Sequence, residues 1–141
     1  MNTNKKTERN LVDVRIILSA LWAARMLSSL QGDSTRFHDP VMLGQLVSGT
    51  SEITVTNELL LVMSIIMAIP IFMVFLSLTL KPKANRWANL IIGIFFVVYE
   101  IGFLIFLYLP GAVYEVFWGL AYLVFAALVV WYAWKWPKQE A

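Results

Sequence analysis

Two ionisable residues stand inside otherwise apolar stretches of this chain, Arg25 and Glu100. A charge within a membrane span is costly unless it is paired or reaches water, and it marks a functional site by default. The chemistry on offer is a guanidinium–carboxylate pair, or a carboxylate that takes up a proton or cation beside a fixed counter-charge. Helical rise places Arg25 about 21 Å beyond Leu11 and Glu100 about 20 Å beyond Trp87, so their depths match. Attraction in a low dielectric makes a direct pair the natural way to bury both. The plain alternative is a clamp that fixes helix register. Trp22 lies one turn below Arg25 and Tyr99 adjoins Glu100, while Asp33, His38, Glu58 and Glu115 gather towards one end. Together they outline an outward-facing polar vestibule floored by Arg25 and Glu100. Glu58 and Glu115 also suit solvated helix starts, where the helix dipole favours carboxylates.

No catalytic constellation accompanies these groups. The chain has no nucleophile elbow, no H-E-x-x-H, no phosphate loop and no C-x-x-C. Its single histidine has no second His or Cys beside it, so neither a metal nor a cofactor is expected. The reading is therefore non-enzymatic: an outward-facing vestibule that binds a partner or a lipid-like ligand. The alternative is a small proton- or cation-coupled transporter or channel component using Glu100, with Arg25 as counter-charge.

The elements that hold these residues follow from composition. Of 141 residues, 60% are hydrophobic and 14% charged, against roughly 45–50% and about 25% in soluble domains. That excludes disorder, nucleic-acid binding and an ordinary soluble enzyme, and it predicts an all-α integral membrane protein of one domain, residues 1–141. A hydrocarbon core of about 30 Å needs roughly 20 apolar residues. Spans are predicted at about 11–30, 59–80, 87–109 and 112–134, a four-helix transmembrane bundle. Pro70 sits midway along the second span and predicts a kink, because proline cannot donate to the helical ladder. Ser19, Ala20, Ala23, Ala24 and Ser28 form a close-packing face on the first span, and Gly93, Gly102 and Gly119 offer the same elsewhere. Such faces also suit a homo-oligomer or a membrane partner.

Loop charges orient the bundle. Lys5, Lys6 and Arg9 precede the first span, Lys81, Lys83 and Arg86 join the second to the third, and Lys135 and Lys138 follow the fourth. With four spans all eight fall on one side, and positive loops are cytoplasmic. Both termini are then cytoplasmic. The other side carries a longer loop, Gln31 to Asn57, in which Arg36 is the lone cation. Asp39-Pro40 signals a short helix start there, and Gly49 its stop. Glu52 to Thr56 alternates and reads as extended, with Asn57 a candidate cap for the second span. Pro137 is expected to close the last helix.

Several runs resemble a family of small bacterial four-span membrane proteins of unknown function. They are Ser19-Ala20-Leu21-Trp22, Gly32-Asp33, Met67-Ala68-Ile69-Pro70, Phe75-Leu76-Ser77-Leu78, Leu80-Lys81-Pro82-Lys83 and Asn85-Arg86-Trp87. The ending Val130-Trp131-Tyr132-Ala133-Trp134-Lys135-Trp136-Pro137 belongs with them. The resemblance implies a single-domain protein of the bacterial inner membrane, and it implies no activity or catalytic residue.

Overall fold

The structure, a computed structural model, describes residues 3–50 and 55–136. Among these, all regular structure is helical: α1 (Thr3–Arg36), α2 (Pro40–Ser48), α3 (Asn57–Thr79), α4 (Pro82–Phe103) and α5 (Val113–Trp134). A π-helical turn, Leu104–Tyr108, continues α4. Three of the helices, α3, α5 and α4 with its π turn, are long and apolar enough to cross a membrane. α1 is longer still at 34 residues, but it carries Asp13, Arg15 and Arg25 within its apolar stretch. It packs between α3 and α5, and α5 packs on α4, while α3 and α4 meet only sparingly.

Several boundaries differ from the sequence expectation, and α1 already begins at Thr3 rather than near Leu11. α1 runs on to Arg36 rather than ending near Leu30, so Asp33 and Arg36 are helical and the connection to α3 is shorter. Packing overrides the weak helix propensity of Gly32: its face is pressed so closely on α5 that an added Cβ would collide with Tyr122 Oη. α4 begins at Pro82, which leaves Leu80 and Lys81 as the link from α3 and places Lys83 and Arg86 on the helix. Proline starts a helix well because its φ is preset and its missing N–H is not needed there. The cap of α3 is Thr56 rather than Asn57, with Thr56 Oγ1 accepting from the Leu59 N–H at 3.2 Å.

The signals that bound α2 match. Asp39 Oδ1 accepts from the Val41 amide at 2.9 Å and the Met42 amide at 3.3 Å, starting α2. Gly49 ends it in the left-handed region at φ 67°. α3 runs through the buried Pro70 as one helix. Glu52 to Ile53 and Thr54 within the expected extended stretch, and Pro137, lie outside the described residues. Within them, α5 ends with the Lys135 N–H donating to the Trp131 carbonyl at 3.0 Å.

The packing is inverted relative to a soluble protein. Large apolar side chains point outward along all three apolar helices, among them Phe72 and Phe75, Ile91 and Val98, and Phe117 and Val124. The interior mixes Leu18, Trp22, Met73, Phe96 and Val129 with the buried polar groups Ser77, Asn85, Asn89, Arg25, Glu100 and Glu115. An apolar exterior of this extent belongs in a bilayer. This is a membrane protein.

The expectation that glycines mark close helix contacts divides on inspection. A Cβ on Gly93 would lie 2.9 Å from Val130 Cγ2 and 3.2 Å from Val129 Cγ1, whereas Gly102 meets nothing within 4 Å. Gly93→Ala should therefore push α4 off α5 and destabilise by about 1–3 kcal/mol, as overpacking does. Gly102→Ala should be neutral or stabilising. Thermal melts in detergent check this, and Val130→Ala should recover part of the Gly93→Ala loss.

Candidate functional site

Three polar layers run through the bundle. In the middle one, Arg25 Nη2 donates to Glu100 Oε1, joining α1 to α4. Both side chains are 3% exposed. The Arg25 guanidinium lies 3.9 Å from the centroid of the Phe96 ring, and Phe96 meets Trp22 edge to face at 5.7 Å. The ring face adds an electrostatic attraction to the cation, and the two aromatics keep water from the pair. Tyr99, half-buried, packs on Phe103 at 4.5 Å between centroids. Just beyond Glu100 the ladder widens into the π turn, a feature frequent near functional sites.

The layer nearer the α3–α4 link consists of neutral amides. Trp22 Nε1 donates to Asn89 Oδ1 at 2.7 Å, and Ser77 Oγ donates to the same oxygen at 3.2 Å. Asn89 Nδ2 donates to Asn85 Oδ1 at 2.7 Å, and Asn85 Nδ2 to the Ser77 carbonyl at 2.6 Å. Ser77, Asn85 and Asn89 have no exposed surface. This layer ties α1, α3 and α4 together. Weighing only ionisable residues passes over it, although two Asn four residues apart share one helix face and stand at the start of an apolar run.

The third layer lies at the opposite end. Arg36 Nε donates to Glu115 Oε1 at 3.1 Å, and its Nη1 to Asp33 Oδ1 at 3.2 Å. Glu115 is buried, not a solvated helix start, because the lengthened α1 carries Arg36 onto it. Tyr114 Oη donates to Asp39 Oδ2 at 2.8 Å, which moors the start of α2 to α5. His38 is exposed, with Nδ1 2.8 Å from the Ser34 carbonyl. Glu58 is exposed at the start of α3 and makes no ion pair among the described residues. The residues expected to line one vestibule thus divide: Trp22 is sealed in the core, Asp33 and Glu115 share Arg36, and His38 and Glu58 face outward. Among the described residues no three metal-ligating side chains gather.

The Tyr114 hydroxyl, followed by the Met42 and Val41 amides, holds the Asp39 carboxyl below the usual carboxylate range. A depressed folded pKa contributes stability above the unfolded value, near 3.9, and loses it as pH falls through the folded one.

A family described as one of unknown function (DUF6326) matches residues 8–141. No curated protein and no solved structure matches the chain.

Removing one partner of a buried pair leaves an uncompensated charge and costs about 3–5 kcal/mol. Arg25→Ala should therefore lower the melting temperature more than the double variant Arg25→Ala/Glu100→Ala. Equal melting temperatures for wild type and both single variants would remove the pair from any account of this bundle. At the layer beside α2, hydrogen-exchange protection of the Val41 and Met42 amides should hold at neutral pH and be lost as acid protonates Asp39. Asp39→Asn should abolish that pH dependence.

Proposed function

This chain belongs to the DUF6326 family of unknown function, and from that premise we propose a four-span protein of the bacterial inner membrane. Both termini are cytoplasmic, and the protein is non-enzymatic, binding a membrane partner or a lipid-like ligand at its outward end. The observation that carries this reading is the sealed Arg25–Glu100 pair. A pair level between α1 and α4, with α1 packed along α3 and α5, supports α1 as the fourth span at the same depth. Its burial, with the Phe96 ring against the guanidinium, supports a register clamp over an open conduit. Orientation draws on charge: Lys81, Lys83 and Arg86 stand at one end, and Asp33, Asp39 and Glu115 at the other, and positive segments stay cytoplasmic.

The ligand surface is assigned to the outward end, where α2 buries none of its residues. Phe37, Val41 and Val47 are exposed there, beside the Asp33–Arg36–Glu115 cluster. Apolar surface rimmed by charges suits an amphipathic ligand or partner. A second reading, proton or cation coupling through Glu100, is favoured by the π turn that follows it, since such turns are where helices repack.

The chain has no cysteine, so single-cysteine variants need no background changes. In intact spheroplasts a membrane-impermeant maleimide should label His38→Cys, and should label Lys83→Cys only after permeabilisation. The reverse pattern, or equal labelling of both, would overturn the topology. In proteoliposomes, wild type and Glu100→Gln should show the same proton flux. Flux in wild type that Glu100→Gln abolishes would replace the clamp with the transport reading.

A further inference from the structure

The α3–α4 link gathers cations to which the fold gives no carboxylate. Arg15 donates from Nη2 to the Leu80 carbonyl at 3.0 Å, which sets its guanidinium against the link. Lys81 precedes α4, and Lys83 and Arg86 occupy its first two turns. Among the described residues none of these four makes an ion pair. Arg15 Nε and Arg86 Nε are moreover shielded from solvent with no hydrogen-bond partner, and a charged donor left unbonded is unfavourable. Nor does α4 neutralise the group: its first turn has no acidic residue and no side-chain cap. Cations there add to the positive end of the dipole rather than oppose it. The uncompensated charge of the group is of the kind that an anion rich in acceptor oxygens would relieve.

We propose that this corner binds the phosphate of an anionic phospholipid headgroup in the cytoplasmic leaflet. The source is a lipid because the cations stand where the apolar exterior ends: Leu78 of α3 and Trp87 and Ile91 of α4 are exposed beside them. Acyl chains lie along that surface while the phosphate meets Arg15, Lys83 and Arg86. The inference rests on α3 and α4 crossing the membrane and is independent of the outward ligand surface.

The test uses the detergent-solubilised full chain and follows its melting temperature against three probes. Dihexanoyl phosphatidylglycerol should raise it saturably, with an apparent affinity that weakens as salt is added. Dihexanoyl phosphatidylcholine, whose phosphate carries its own cation, should do so far more weakly, and glycerol phosphate not at all. Lys83 is exposed, so Lys83→Gln removes charge without disturbing packing and should weaken the apparent affinity about five-fold. Arg86→Gln should weaken it at least as much, and Arg86→Lys, which keeps the charge, should recover most of that loss. Equal shifts from phosphatidylcholine and phosphatidylglycerol would overturn the proposal, as would an equal response to glycerol phosphate, which would mark a soluble anion. Unchanged affinity in Lys83→Gln and Arg86→Lys together with Arg86→Gln would overturn it too. Maleimide labelling separates the two levels: wrong labelling removes the membrane topology itself, while failure here leaves that topology standing.

Discussion

The hydrocarbon core of a bilayer offers no hydrogen-bond partners, so each polar group placed there must be satisfied inside the bundle. Most of the arrangement follows from this constraint. Lipid tails are as apolar as leucine, and apolar side chains alone give helices little reason to choose one neighbour or register over another. Directional polar contacts supply the choice. The amide layer fixes α1 to α3 and α4, the Arg25–Glu100 pair fixes α1 to α4, and Arg36 with Glu115 fixes α1 to α5. α1 takes part in all three layers. The helix with the most charges along its length is therefore the one about which the others are registered. Ser19 adds a fourth contact, donating to the Val74 carbonyl of α3 at 2.9 Å.

Much of this was legible in the sequence because the dominant signals are local or depend on depth alone. Runs of apolar residues mark the three apolar helices. Asp39-Pro40 and Gly49 bound α2 through capping chemistry that involves only neighbours in the chain. Matching depth was enough to suggest that Arg25 and Glu100 meet. The parts that were not legible depend on tertiary contact. Gly32 and Asp33 read as a loop, since nothing in the local sequence reveals that Tyr122 and Trp118 stand ready to receive Gly32. Once α1 continues, Arg36 reaches Glu115, and a carboxylate that looked solvated becomes buried. Asn85 and Asn89 carry no formal charge, so the cost of burying them is easily overlooked, yet they form the most completely buried polar cluster.

The two ends of the bundle differ in the kind of electrostatic problem they solve. At the end that carries α2, Arg36 is matched by Asp33 and Glu115, and Asp39 by the Tyr114 hydroxyl and the first amides of α2. Opposite charges there are met within the chain. At the other end Arg15, Lys81, Lys83 and Arg86 are met by no carboxylate among the described residues. An excess of one sign at a membrane boundary is of the kind that charged lipid headgroups in the medium can match. Two nitrogens of that group, Arg15 Nε and Arg86 Nε, are shielded from solvent without a hydrogen-bond partner.

A buried ion pair is weak evidence for stability, since apolar residues of similar volume often serve as well or better. The Arg25–Glu100 pair is better understood through what it forbids. Sliding α1 against α4 by one helical turn would separate the charges by about 5.4 Å in a medium that cannot solvate either. Rotating α4 would carry Glu100 towards lipid. The amide layer, about 11 residues along α4 at Asn89, imposes the same register independently through Trp22. Two fixed points on one pair of helices oppose both sliding and tilting of α1 against α4. α3 and α4 meet only sparingly, and the hydrogen bonds of Ser77 with Asn85 and Asn89 are what join them there.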